Sequence, residues 1–187
     1  MKTEKEHSEQ AWQTLSSTYL FSRPWLTVRR EDMLLPNGNR IPEYYLLEYP
    51  DWVNTIAITK DGQFVMVRQY RPGIRRYAYE LCAGVCEKED ASPLVSAQRE
   101  LWEETGYGNG NWTEIMTISA NASTHTNLTH CFLATDVERI AQPHQELTED
   151  ISVHLMTWNE VEQLLDNNEI LQATMAAPLW KYRAMRL

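Results

Sequence analysis

The stretch that decides the fold is Arg99-Glu100-Leu101-Trp102-Glu103-Glu104-Thr105-Gly106-Tyr107. On a helix, Glu100 precedes Glu103 and Glu104 by three and four residues, so the three carboxylates become neighbours. Like charges at this spacing oppose each other by about 0.2–0.5 kcal/mol per pair. A hard divalent cation reverses that effect, because Mg²⁺ takes oxygen ligands. Arg99 stands four residues before Glu103 and can hold its carboxylate, so the stretch predicts a helix with a metal-binding acidic face.

The ends of this helix are also marked in the sequence. Ser92 is a suitable N-cap and Pro93 a suitable first helical residue. Gly106 is a suitable C-terminal stop. A second side of the helix carries an apolar stripe that predicts packing on a core, formed by Leu94, Ala97 and Leu101.

The whole string resembles the signature helix of the Nudix hydrolase family, Arg-Glu-apolar-x-Glu-Glu-x-Gly-apolar, at every fixed position. Upstream, Glu80-Leu81-Cys82-Ala83-Gly84 resembles the family's Glu-Leu-Pro-Ala-Gly segment, with Cys82 in place of the proline. The resemblance covers about Asp51 to the C-terminus. It implies an α/β (α+β) fold, in which a mixed β-sheet is sandwiched between helices.

The loop before the helix departs from the family pattern. Gly84 lies one residue farther from Arg99 than the pattern places it, so one residue is inserted within Glu87–Ala91. The family's first glutamate would fall on Ala91, and Glu89 and Asp90 are candidate substitutes for it.

A further segment, Arg68-Gln69-Tyr70-Arg71, makes the chain similar to the ADP-ribose and nucleotide-sugar pyrophosphatase branch of the family. Arginine suits bidentate contacts to phosphate oxygens. Arg68 and Arg71 end a predicted strand just before the segment with Glu80 and Ala83, so we expect both to reach one cleft. The branch also implies an N-terminal antiparallel β extension that is exchanged across a dimer.

The resemblance implies a set of site residues. The expected metal ligands are the Ala83 carbonyl, Glu100, Glu103 and Glu104, and Glu103 also counts as catalytic. The loop Gln145–Asp150 is expected to supply a general base, with Glu149 preferred over Glu146. The expected substrate-binding residues are Arg68, Arg71 and Glu80. Trp25 is added for its aromatic ring, as one of three candidates for stacking a nucleobase with Trp12 and Tyr45. The alternative for Glu80 is a strand glutamate paired with an arginine, and the alternative for Trp25 is core packing.

Composition limits the classes of protein that the chain can represent. Its 187 residues suffice for one substantial core and a small appendage. The net charge of −9 argues against a sequence-independent nucleic-acid binder, but local arginines and a metal still permit a small anionic substrate. Three cysteines with no scaffold spacing indicate reduced thiols and a cytoplasmic protein. No apolar run approaches a membrane span, so no membrane partner is expected.

We expect two domains, an antiparallel extension for dimerisation at 1–50 and a Nudix domain at 51–187. Asn37-Gly38 is a strong hairpin signal between strands at Trp25–Leu35 and Ile41–Tyr49, whereas Trp12–Phe21 shows no period and receives no assignment. In the second domain the pattern predicts strands at 53–59, 64–70, 77–82, 112–120, 129–137 and 152–158, and helices at 93–105, 159–166 and 171–185.

The leading hypothesis is Mg²⁺-dependent hydrolysis of the diphosphate bond in a nucleoside diphosphate sugar, with Mn²⁺ as a substitute metal. ADP-ribose is the first candidate, and the products are a nucleoside monophosphate and a sugar phosphate. One alternative is another nucleoside diphosphate derivative, such as GDP-mannose or a dinucleotide cofactor. The other is a catalytically silent regulator that binds a nucleotide sugar. We expect a small-molecule substrate, no nucleic-acid partner and a homodimer.

Overall fold

The computed structural model describes residues 11–23, 26–145 and 150–186. The chain divides into two compact units. One unit runs through Tyr49 and also takes Asn121–Thr126, while the other begins at Pro50 and resumes at Asn127.

The first unit is a three-stranded antiparallel sheet in the order β1-β2-β3. Its strands are β1 (Gln13–Arg23), β2 (Leu26–Leu34) and β3 (Arg40–Glu48). The predicted Asn-Gly turn between β2 and β3 is confirmed, because Gly38 has φ 83° and Asn37 Oδ1 accepts a hydrogen bond from the Asn39 amide at 2.9 Å. Strand β1 has no counterpart in the sequence prediction, since every one of its residues is exposed and no inward-facing period marks it.

The second unit contains a seven-stranded mixed sheet in the order β10-β5-β6-β4-β9-β7, with β8 paired to β9. Strands β4 and β9 run parallel, and the other pairs are antiparallel. The strands are β4 (Trp52–Thr59), β5 (Phe64–Arg71), β6 (Arg76–Val85), β7 (Tyr107–Gly108), β8 (Asn111–Ile118), β9 (Thr129–Arg139) and β10 (Ile151–Met156).

Helices cover both faces of this sheet, as the family resemblance implies. On one face, Leu101 of helix α1 (Pro93–Thr105) packs with Ala57, Val65 and Cys82. On the other face, the helices α2 (Trp158–Asp166) and α3 (Ala173–Arg186) enclose the larger core. That core includes Ile56, Phe64, Met66, Leu81, Val161, Leu165 and Leu179. None of the helices in the described ranges is long and apolar enough to cross a membrane.

The predicted ends of α1 are confirmed, and those of α2 need a correction. Ser92 Oγ accepts a hydrogen bond from the Val95 amide at 3.4 Å, and Gly106 ends α1 with φ 76°. Helix α2 begins at Trp158, where Thr157 and Glu160 form a capping box, rather than at an N-cap on Asn159. The preceding strand therefore stops at Met156 instead of running to residue 158.

Candidate active site

The acidic face of α1 lies against the end of β6. The Val85 amide donates to Glu100 Oε1 at 3.2 Å, and the Ala83 amide donates to Glu104 Oε2 at 3.2 Å. Both carboxylates are consequently buried, with Glu100 9% exposed and Glu104 3% exposed. We call this contact between the carboxylates of Glu100 and Glu104 and the backbone of Ala83–Val85 the polar seam.

Gly84 makes this close approach possible. A Cβ atom at Gly84 would lie 2.0 Å from Cδ of Glu100, which is far inside van der Waals contact. Because a side chain at this position would occupy the space of the carboxylate, Glu100 can rest on the β6 backbone only beside a glycine.

Arg99 joins the carboxylates of the seam. Its Nη1 donates to Glu100 Oε1 and to Glu103 Oε2, both at 2.9 Å, which confirms the predicted contact to Glu103. Its Nη2 donates to the Val85 carbonyl at 2.9 Å and to Asp90 Oδ2 at 3.0 Å. One guanidinium therefore fixes two helix glutamates, the loop and the strand end together.

Burial and neighbouring charges shift the pKa values of Glu100 and Arg99 in opposite directions. Burial raises the pKa of the Glu100 carboxyl above its usual value, while the neighbouring Arg99 charge lowers it. Burial also lowers the pKa of Arg99, but the hydrogen bonds that Arg99 donates to Asp90 and the charge of Glu100 outweigh burial and raise that pKa. A surplus of carboxylates over guanidinium remains in the seam, which favours a cation.

Side chains in the described ranges form no ready group of three or more His, Cys, Asp or Glu that could hold a metal ion. In this structure Arg99 donates to Glu100 and Glu103, and the Ala83 amide donates to Glu104. The donors nevertheless fit a hard divalent cation in their chemistry. They are carboxylate oxygens beside the backbone of Ala83–Val85, in surroundings with surplus negative charge.

Arg71 lies on the same face of the sheet as α1. Its Nε donates to Glu80 Oε1 at 2.8 Å, and its Nη2 bonds the other oxygen of that carboxylate. The Glu80 side chain is 1% exposed, whereas the Arg71 side chain is 38% exposed. The hydrogen bonds that Arg71 donates to Glu80 raise the pKa of Arg71, and the Glu104 charge adds to this shift. Arg71 is thus a fixed, partly exposed cation beside the acidic seam.

Arg68 does not lie beside the acidic face of α1. Along β5, side chains alternate between faces, so Arg68 and Arg71 point to opposite sides of the sheet. The Arg68 guanidinium lies over the rings of Tyr77 and Tyr79, at 4.8 and 5.6 Å from their centroids. The expectation that both arginines share one cleft is therefore wrong, and the reason is the two-residue period of the strand.

Glu146, Glu149 and Trp25 lie outside the described residues. The described start of the loop with the two glutamates is tied to the end of α1. The His144 amide donates to the Glu103 carbonyl at 2.8 Å, and Gln145 Nε2 donates to the Glu104 carbonyl at 3.1 Å.

Asp90 is the residue that sequence reasoning left undecided. It contacts Arg99 through Oδ2, at 3.3 Å from Nε and 3.0 Å from Nη2. Its neighbours Glu89 and Ala91 are exposed. The inserted residue shifts the register of this loop, and no periodic pattern in the sequence shows which carboxylate turns inward.

Family models match both units of the chain. Residues 49–177 match the model described as NUDIX domain. Residues 12–47 match the model described as nucleoside diphosphate sugar hydrolase N-terminal domain.

Curated proteins and a solved structure resemble this chain over most of its length. The chain is 31% identical to an ADP-ribose pyrophosphatase of Bacillus subtilis (strain 168) over 165 residues, which are 87% of this chain and 88% of that protein. It is 30% identical to a methanol dehydrogenase activator of Bacillus methanolicus over 159 residues, 84% of each chain. A crystal structure of an ADP compounds hydrolase superposes with a TM-score of 0.82 over 96% of both chains. At its 21% identity this last likeness concerns the fold.

Proposed function

Because this chain belongs to the NUDIX family, we propose that it hydrolyses the diphosphate bond of a nucleoside diphosphate sugar, with ADP-ribose as the first candidate. The products are a nucleoside monophosphate and a sugar phosphate. The observation that carries the proposal is the seam between α1 and β6, where Glu100 and Glu104 meet the backbone of Ala83–Val85. The curated relative from Bacillus subtilis supports the choice of ADP-ribose.

Mg²⁺ is the proposed metal, and Mn²⁺ is its proposed substitute. The residues that would hold it are Glu100, Glu103, Glu104 and the Ala83 carbonyl. When bound, such ions screen the phosphate charge and lower the pKa of the attacking water. The carboxylate surplus of the seam and its all-oxygen donor set support this assignment.

Arg71 is the proposed contact to the diphosphate. Its fork is held by Glu80 through two hydrogen bonds, so its direction is set before substrate arrives. The partly exposed guanidinium beside Glu104 can offset the repulsion between an acidic chain and an anionic substrate. Glu80 acts in this scheme by orienting Arg71.

The proposed general base is Glu149, with Glu146 as the alternative. Support comes from the described start of their loop, which His144 and Gln145 fasten to the carbonyls of Glu103 and Glu104. Trp25 is the proposed platform for the nucleobase, since an aromatic face stacks on any base.

We also propose a homodimer built through the N-terminal extension, residues 1–50. Strand β1 is an edge strand of the three-stranded sheet, and all of its residues are exposed. Its large apolar side chains include Leu15, Tyr19, Leu20 and Phe21, each 45% exposed or more. A long exposed edge with an apolar surface is a surface that proteins cover by association.

Assembly is tested by light scattering on the full-length chain at micromolar concentration. We expect a dimer, and removal of residues 1–50 should give a monomer with weak substrate affinity. A full-length chain that is monomeric at this concentration would refute the assembly.

Cytoplasmic residence is part of the proposal as well. Cys82, Cys86 and Cys131 form no disulfide with one another, which suits a reducing compartment. Burial raises the pKa of Cys131 to about 11, so this thiol stays protonated and unreactive. The proposed partner is a small nucleoside diphosphate derivative, and neither nucleic acid nor a membrane is part of the scheme.

A substrate panel tests the proposed reaction. Full-length protein is incubated with Mg²⁺ and ADP-ribose, GDP-mannose or a dinucleotide cofactor, and the products are separated by chromatography. The highest kcat/KM is expected for ADP-ribose. A higher value for another compound would replace the substrate, and tight binding without any turnover would favour the silent regulator.

A further inference from the structure

We propose that Asp90 is the positioning residue for Arg99, and that through Arg99 it sets how tightly Glu100 and Glu103 hold a divalent cation. Asp90 stands one residue before Ala91, where the family pattern would place a glutamate. The inference rests on the proposed function, because it concerns the metal ligands assigned there.

The contacts of Arg99 divide along two edges of its guanidinium. The edge formed by Nε and Nη2 faces Asp90 Oδ2, at 3.3 and 3.0 Å. The remaining nitrogen, Nη1, faces Glu100 and Glu103. The Asp90 side chain is 11% exposed and that of Arg99 is 21% exposed, so the pair is largely shielded from solvent. Asp90 consequently fixes the rotation of the guanidinium plane.

A tight turn explains why Asp90 takes this position. The Asp90 amide donates to the Glu87 carbonyl at 3.2 Å, and the Glu87 amide approaches Asp90 Oδ2 at 3.4 Å. The turn absorbs the inserted residue and directs the Asp90 carboxylate inward. Glu89 and Ala91 on either side are exposed. The loop thus restores one inward carboxylate despite its altered length.

Removal of the Asp90 charge should weaken cation binding. With its Nε edge released, Arg99 is free to form a bidentate pair with one helix glutamate, and such pairs are strong. That pair competes with a cation for the same oxygens. Loss of a group that orients a metal ligand typically costs about 10–100-fold in affinity.

The direct test is binding of Mn²⁺ to the full-length chain without substrate, measured by electron paramagnetic resonance of the free ion. Asp90→Asn keeps the shape of the side chain and removes its charge. We expect its Kd for Mn²⁺ to rise at least about tenfold. Glu89→Gln makes the same charge change one residue away on an exposed side chain, and its Kd should stay within about twofold of wild type. Equal affinities of the two variants would overturn the proposal.

A second experiment, in the Arg99→Gln variant, tests whether Asp90 acts by positioning Arg99 or only through its own negative charge. If Asp90 acts through Arg99, adding Asp90→Asn to Arg99→Gln should change the Kd by less than about twofold, because coupled residues are non-additive. An undiminished loss in that background would contradict the proposal. Asp90→Glu keeps the charge and should bind Mn²⁺ more tightly than Asp90→Asn. Because the readout needs no turnover, a failed substrate assignment would leave this result standing.

Discussion

Arg68 and Arg71, three residues apart on β5, project from opposite faces of the seven-stranded sheet. Arg71 extends toward the acidic face of α1 and is held by Glu80. Arg68 rests on the rings of Tyr77 and Tyr79. Of the two arginines in this segment, only Arg71 is placed to meet an anion bound at the seam.

Arg71→Ala should therefore impair catalysis far more than Arg68→Ala. Loss of a charged hydrogen bond to a bound anion costs about 1.5–3 kcal/mol, and each 1.4 kcal/mol is a factor of ten. We expect Arg71→Ala to raise KM for ADP-ribose roughly tenfold or more. Arg76→Ala, at the exposed start of β6, is the matched control. Steady-state kinetics in which Arg68→Ala costs as much as Arg71→Ala would contradict the placement of the substrate.

The pair of Arg71 and Glu80 also predicts a change in stability. Arg71→Ala leaves the Glu80 carboxylate without its arginine, at a site where only 1% of the side chain is exposed. Breaking a buried pair in this way typically costs 3–5 kcal/mol, and partial exposure of Arg71 reduces that to about 2–4 kcal/mol. Adding Glu80→Gln removes the stranded charge, so urea unfolding should show recovered stability. If the double variant had the same free energy of unfolding as Arg71→Ala alone, the unpaired Glu80 charge would not be the cause of the lost stability.

Gly84 offers a test of the seam that changes no charge. In Gly84→Ala the new methyl group would lie 2.0 Å from Cδ of Glu100, so the carboxylate must move. We expect kcat/KM to fall at least about tenfold, as for other losses of ligand orientation. Gly73→Ala is the control, because a Cβ there meets no atom within 4 Å. If both variants kept wild-type kinetics, Glu100 would not act from its observed position.

Glu114 predicts a pH dependence of stability away from the seam. Hydrogen bonds from Thr117 and His130 lower the pKa of its carboxyl below the ordinary value of 4.5. A carboxyl with a lowered folded-state pKa stabilises the protein above its unfolded-state pKa, and this stabilisation is lost as pH falls through the folded-state value. Glu114→Gln should therefore flatten the fall in Tm below about pH 4.5. Thermal melts with an unchanged slope would rule out this contribution.

Local patterns account for the parts of the structure that the sequence predicts well. The extent of α1 follows from Ser92, Gly106 and its apolar stripe, and the contact between Arg99 and Glu103 follows from helical spacing. To predict the polar seam from the sequence, one must also know that β6 lies beside the helix.

Other parts depend on contacts that no local pattern encodes. Strand β1 is exposed along its whole length, so it lacks the alternation that reveals a strand. The inward turn of Asp90 depends on loop geometry after an insertion. The opposite directions of Arg68 and Arg71 could have been predicted from the sequence, because side chains three residues apart on a strand lie on opposite faces.

The most direct measurement is the rate of AMP release from ADP-ribose with Mg²⁺, for the wild-type chain and for Glu104→Gln. Wild type should release AMP and ribose phosphate in equal amounts, and chelation of the metal should stop the reaction. Glu104→Gln keeps the shape of a 3%-exposed side chain that faces the Ala83 amide, and should lower the rate at least about tenfold without unfolding the protein. Absence of AMP with the wild-type chain, or near-normal turnover by Glu104→Gln, would contradict hydrolysis at the seam of α1 and β6.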